Sequence, residues 1–220
     1  LLLRNRSLHN WGKHELALEG FRSIYRRFPQ SGVAGKALFM QGIVLLKLER
    51  NDEAIALFED MRRELPNHPL AEDAFYWQGM GYSFASEHER ARDHLGGYLN
   101  EYPQGRYRPD AAFRCAFATF SMADYPAANS QLREYLGHYE GDAYNDEARL
   151  LLGDSLLAVG EIDAGVASYM GISPSSERFF EESRFKIGKV MKLQGRFADM
   201  RAHFSRFIAS YPDSNRMAEA

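Results

Sequence analysis

Along this chain apolar residues come in helix-period blocks separated by polar breaks. Leu38, Phe39, Gly42, Leu45 and Leu46 recur at three-to-four spacing, and after a polar gap Ala54, Ile55, Phe58 and Met61 do so again. That is the periodicity of one buried helix face. The blocks themselves repeat. Pro29, Pro66 and Pro103 are separated by 37 residues, and the same interval links Ala17, Ala54, Ala91 and Ala128. It also links Phe21, Phe58, Leu95, Leu132 and Tyr169, and again Gly42, Gly79, Ala116 and Gly153. The next unit, with Gly188, Phe204 and Pro212, follows after a shorter step of 35 residues. A fixed period of this length with two helical blocks in each unit predicts a repeated helix–turn–helix.

First helices are predicted near 33–48, 69–84, 109–122, 143–159 and 174–194, and second helices near 13–28, 51–65, 87–102, 125–139, 161–171 and 196–211. Pro69, Pro109 and Pro174 suit first turns, where a missing N–H removes no hydrogen bond. Ser86 and Glu89 read as a capping box, and Tyr102-Pro103-Gln104-Gly105 and Tyr211-Pro212-Asp213-Ser214 read as unit-closing turns. Glycine in a helix costs about 1 kcal/mol relative to alanine, so the recurring Gly42, Gly79, Ala116, Gly153 and Gly188 imply a close helix approach. Ala54, Ala91 and Ala128 are the matching small positions on the second helix. One pair cannot cover its own apolar face, so the expected architecture is an all-α solenoid of antiparallel helix pairs. It is read as a single array over 1–220, with units near 1–32, 33–68, 69–108, 109–142, 143–172 and 173–215. The opening Leu1-Leu2-Leu3-Arg4, a short first unit and a seventh unit cut off at Ala220 are read as marks of a piece of a longer protein.

Composition narrows the function. Hydrophobic content of 45% and charged content of 26% are ordinary for a globular chain. No apolar run approaches the length of a membrane span. A net charge of −3 argues against nucleic acid as partner, since phosphate binding needs a basic surplus. The charge is segregated, with ten acids against two arginines over 140–182 and eight basic residues against three acids over 183–220. Such blocks read as solvated helix faces or as a polarised surface that steers a charged partner. A single cysteine, Cys115, excludes an intrachain disulfide and a cysteine zinc site, and among Phe113, Ala116 and Ala118 it reads as a buried inert thiol. None of the seven histidines forms a His-Glu-x-x-His pair, Gly96-Gly97 has no lysine-containing phosphate loop, and Glu181-Glu182 reads as an exposed face. The expectation is no active site, no metal, no cofactor and no small-molecule substrate.

The repeat resembles the tetratricopeptide family. Ala74-Phe75-Tyr76, Gly79, Tyr82, Ala91, Leu95 and Pro103 fill its template best. The spacing exceeds the family norm, Glu140 replaces a closing proline, and Gly165 and Met200 replace the small alanine. The short step through Gly171-Ile172-Ser173-Pro174 predicts a local change of superhelical twist. The stretch Leu65-Pro66-Asn67-His68-Pro69 and the following Ala74-Phe75-Tyr76-Trp77-Gln78-Gly79 are similar to bacterial envelope members. Those are the assembly lipoprotein of the outer-membrane β-barrel machine and the coordinator of the Tol-Pal system.

This resemblance implies a right-handed superhelix whose first helices line a concave groove. Carried over by position, the groove is expected to hold Phe39, Ile43, Tyr76, Met80, Phe84, Phe113, Phe117, Phe120, Asp154, Lys189 and Lys192. Phe113, Phe117 and Phe120 form an i, i+4, i+7 stripe, which reads either as core between neighbouring first helices or as an apolar groove. In the second reading Phe117 and Tyr76 are anchors. The family's carboxylate clamp is disfavoured, because its fifth and ninth positions are Phe39/Ile43, Tyr76/Met80 and Phe113/Phe117. The expected function is a non-catalytic protein-interaction scaffold holding a partner helix or extended peptide, by resemblance in the bacterial periplasm or at the outer membrane. The alternative is a structural spacer or self-association module whose aromatic stripe is core.

Overall fold

A computed structural model describes residues 1–212 and 214. Among the described residues there are twelve helices and no strand: α1 (Leu2–Asn10), α2 (His14–Arg27), α3 (Ala34–Lys47), α4 (Asn51–Glu64), α5 (Ala71–Phe84), α6 (His88–Glu101), α7 (Arg108–Ser121), α8 (Tyr125–His138), α9 (Asn145–Ala158), α10 (Ile162–Met170), α11 (Glu177–Leu193) and α12 (Phe197–Ser210). Helices α2 to α12 lie within a few residues of their expected places, α1 is a further helix not expected from the sequence, and the all-α architecture of stacked helix pairs holds. Asp213 of the last expected turn and the start of a seventh unit lie outside the described residues. None of the described helices is long and apolar enough to cross a membrane.

The chain forms two compact units, Leu1–Ala118 and Thr119–Ala220. In the first, α1 to α6 pack each against the next, and α3 also touches α5. In the second, α8 to α12 do the same, and α9 touches α11. The small residues work as the repeat implies. A Cβ on Gly42 would overlap the Phe58 ring, one on Gly153 the Tyr169 ring, one on Gly188 the Phe204 ring, and one on Gly79 would stand 2.5 Å from Leu95 Cδ2. Each glycine therefore receives the large residue of the second helix in its own pair, and Phe58, Leu95 and Tyr169 are fully buried as a result.

Two expectations about helix starts are corrected. Ser86 makes no capping box: it adopts φ +59° and α6 begins at His88 behind an N-cap Glu87 with no side-chain bond. The turn between the two helices of a pair needs a left-handed residue, and that need removes Ser86 from the capping position. Glu49, Ser86 and Ala123 share this register with Gly12, Gly160 and Gly195, all at positive φ. The cap that forms is Asp124, which accepts from the Ala127 amide at 3.3 Å with Pro126 in the first turn of α8. Pro109 sits in the first turn of α7, but Pro69 and Pro174 stand in the turns ahead of α5 and α11. Where Glu140 replaces proline, Asn145 holds the turn instead, donating to the Tyr139 carbonyl at 2.8 Å and accepting from the Gly141 amide at 2.7 Å.

Candidate functional site

The expected groove residues fall on register rows of the first helices, and exposure changes along those rows. Phe39, Tyr76 and Phe113 share one row: Phe39 is half-buried, whereas Tyr76 and Phe113 are sealed at 5% and 3% exposure. One turn further on, Ile43 is half-buried, Met80 is 3% exposed and Phe117 opens to 40%. At the end of α5, Phe84 is 51% exposed, and Lys47 in the same register on α3 is exposed too. The apolar face thus opens toward the C-terminal ends of the first helices. The Phe113/Phe117/Phe120 stripe is graded accordingly. Phe113 is core, Phe117 is half open with its ring 6.4 Å from Phe113, and Phe120 is half-buried 5.7 Å from Tyr125.

Tyr76 is sealed by a loop that the repeat does not encode. Tyr107, between α6 and α7, stacks on it at 4.0 Å with ring planes 5° apart. The Tyr76 hydroxyl donates to Asp110, whose carboxylate also lies 2.5 Å from Arg114 Nε. Burial first, and then the bond to Asp110, pushes the Tyr76 phenol well above its usual range. Tyr107 donates to Asp73 at 2.8 Å, and Asp73 also pairs with Arg106 and is 5% exposed. Glu72 accepts from the Tyr98 hydroxyl at 2.8 Å and from the Arg106 amide at 2.9 Å. Sequence reasoning missed Tyr107 because it stands between the repeating blocks, where periodicity carries no signal.

In the second unit Asp154 is not a free groove charge. It accepts from the Tyr169 hydroxyl at 2.5 Å and pairs with Lys186 at 2.8 Å. Lys189 and Lys192 lie exposed on α11 without an ion-pair partner among the described residues. Elsewhere the titratable groups read as packed structure. Burial pushes His94 down to about 4, and it bonds the Phe75 carbonyl at 3.0 Å. Burial likewise raises the Cys115 thiol to about 11, which suppresses the thiolate a nucleophile needs. Among the described residues no group of three or more His, Cys, Asp and Glu side chains is placed to hold a metal ion.

Comparison with known proteins agrees with this architecture. A tetratricopeptide repeat family profile matches residues 10–69. The fold is shared with a tetratricopeptide repeat protein from Parabacteroides merdae ATCC 43184, at 14% identity and TM-score 0.71, over 94% of this chain and 77% of that one. It is shared also with MamA, residues 41 to the end, from Desulfovibrio magneticus RS-1, at 15% identity and TM-score 0.63, over 87% and 92% of the two chains. No curated protein matches the sequence significantly. Repeat arrays of this kind support a protein-interaction scaffold. The profile of the YfiO family, described as an outer membrane lipoprotein, matches residues 83–220, well over half of the chain, and the chain therefore belongs to that family.

Proposed function

We propose that this chain is a non-catalytic scaffold of the bacterial cell envelope. It holds a helix or extended segment of a partner protein against the open apolar ends of its first helices. The observation that carries this reading is the exposure of Phe84 and Phe117, at 51% and 40%, on helices whose preceding turns bury Tyr76, Met80 and Phe113. Large rings half open to water on well-packed helices are the residues that protein interfaces use as anchors. Phe39 and Ile43 border them as half-buried apolar surface, while Tyr76, Met80 and Phe113 serve as the floor that keeps the open rings in place. The envelope assignment is supported by the outer-membrane lipoprotein family to which the chain belongs.

The test is photo-crosslinking in the native envelope. Benzoylphenylalanine is placed at Phe117, and as control at exposed Glu59 on the second helix α4. The expected result is a discrete adduct with another protein from position 117 and none from position 59. Phe84→Ser should weaken capture of that protein by about thirtyfold, the effect of losing an anchor worth about 2 kcal/mol. Equal adducts from both positions would remove the site. Adducts joining two copies of the chain would establish the self-association module instead.

A further inference from the structure

A cavity of about 530 Å3 lies in the second unit among α10, α11 and α12, and none of the residues of the surface proposed above lines it. Its origin is the irregular repeat. The second helices α8 and α12 run fourteen residues, but α10 has nine and stops at Met170. In the first unit, at the equivalent place, full-length α4 lays the Arg62 guanidinium 3.5 Å over the Phe75 ring. Arg184 stands at the register position of Phe75, and Ser173, at that of Arg62, lies beyond the end of α10. The shortened helix therefore leaves an opening walled by Phe180, Ile187 and Phe207, all buried.

A charge in this opening has no counter-ion among the described residues. Arg184 is half-buried, and its guanidinium reaches only the Tyr169 carbonyl at 3.4 Å, Met170 Sδ at 3.0 Å and the Met170 carbonyl at 3.5 Å, with the Phe180 ring 4.2 Å away. None of the carboxylates among the described residues pairs with it, with Arg206 or with His203, although α11 itself carries Glu177, Glu181 and Glu182. Glu182 is directed to Lys186 at 3.7 Å. Burial pulls the Arg184 pKa below its ordinary value, yet a guanidinium stays charged in the working pH range. A half-buried cation without a carboxylate is costly, and a bidentate acid arriving from outside relieves that cost.

We infer that this cavity is a docking site for an acidic, apolar peptide segment of a partner protein, which places a large apolar side chain against Phe180, Ile187 and Phe207 and a carboxylate on Arg184. The volume suits one or two side chains, and the pairing of an apolar wall with a fork-shaped donor selects a Leu, Met or Phe beside an Asp or Glu.

The test selects a phage-displayed library of short random peptides on the intact 220-residue chain. Enriched sequences are resynthesised and their affinities measured by fluorescence anisotropy. Sequences pairing a large apolar residue with an acid are expected. Arg184→Gln should weaken them about tenfold or more, the loss of one charge-assisted bond. Met170→Trp, which keeps the Arg184 charge but replaces its thioether contact with bulk at a residue 58% exposed on the rim, should block them. Phe84→Ser and Phe117→Ser should leave these affinities unchanged, so the outcome is independent of the first-helix site. Selection of peptides without an acid, binding retained in both cavity variants, or no binding to the intact chain would each overturn the inference. Binding only to phosphatidylglycerol vesicles would overturn it in favour of a lipid surface.

Discussion

The glycine on each first helix makes a prediction whose sign can be checked. A Cβ at Gly42 would overlap the Phe58 ring, with Cε1 2.5 Å and Cε2 3.0 Å away. Phe58 is fully buried with its ring 5.7 Å from Phe39, so it cannot turn aside without displacing other core residues. Alanine in place of glycine gains about 1 kcal/mol of helix propensity. An extra carbon forced into a filled core costs about 1–3 kcal/mol. Contacts this far inside van der Waals separation belong at the upper end, which leaves Gly42→Ala a net loss of about 1–2 kcal/mol. Gly96, inside α6, has nothing within 4 Å of its notional Cβ. There only the propensity term survives, and Gly96→Ala should gain about 1 kcal/mol. Both sites lie in the first unit, as do both tryptophans, Trp11 and Trp77, and Trp77 packs against the core cluster that contains Phe58. Urea unfolding followed by tryptophan fluorescence therefore reads both variants. With a slope of about 2 kcal/mol per molar, their midpoints should separate by about 1 M or more. A midpoint for Gly42→Ala at or above wild type would refute the close-approach argument. Adding Phe58→Leu to Gly42→Ala should recover part of the loss, and no recovery would show that the ring is not the obstacle.

Three further outcomes follow from the geometry. Ala123 sits at φ +60° and Gly160 at φ +83° in the same turn; Ala123→Gly should stabilise by about 0.5–1 kcal/mol and Gly160→Ala should destabilise by about 1 kcal/mol, read by scanning calorimetry. Burial holds His94 near 4 against an ordinary value of 6.5, so the native state refuses a proton that the unfolded chain accepts. Its contribution, about 3 kcal/mol, is fully present above pH 6.5 and is lost as pH falls toward 4; His94→Gln should flatten the fall of the urea midpoint between pH 6.5 and 5, and an unchanged slope would exclude this histidine. Tyr98 donates to Glu72 at 2.8 Å and accepts from the Tyr107 amide at 3.1 Å; Tyr98→Phe strands that amide and should cost about 1–3 kcal/mol, with faster hydrogen exchange at Tyr107 as the local sign.

The helix pairs were legible because periodicity reports what repeats, and the packing of Gly42 on Phe58 repeats in Gly153 on Tyr169 and Gly188 on Phe204. The state of the candidate site was not legible, because exposure at one register position depends on neighbours outside the period. Tyr76 is covered by Tyr107 from a connecting loop, whereas Phe117, one turn along, is left open. Asp154 falls on a groove position by count, yet Tyr169 and Lys186 consume its oxygens. The register turns teach the same lesson from the backbone. A left-handed residue is required at each, but Glu49, Ser86 and Ala123 fill three of them, so composition hides what geometry demands. The shortened α10 completes the reasoning. Its sequence signature, a step of 35 residues instead of 37, was visible and was read as a change of twist. In the structure α10 has nine residues where α8 and α12 have fourteen, and α11 has seventeen where α9 has fourteen. The missing end of α10 is the stretch that in α4 covers Phe75, the register counterpart of Arg184. An ideal repeat buries its own apolar faces and pairs its own charges, leaving little for a partner to recognise. The interaction chemistry proposed for this chain therefore lies where the repeat fails to close on itself, at the open rings of Phe84 and Phe117 and at the Arg184 guanidinium, which no carboxylate among the described residues meets.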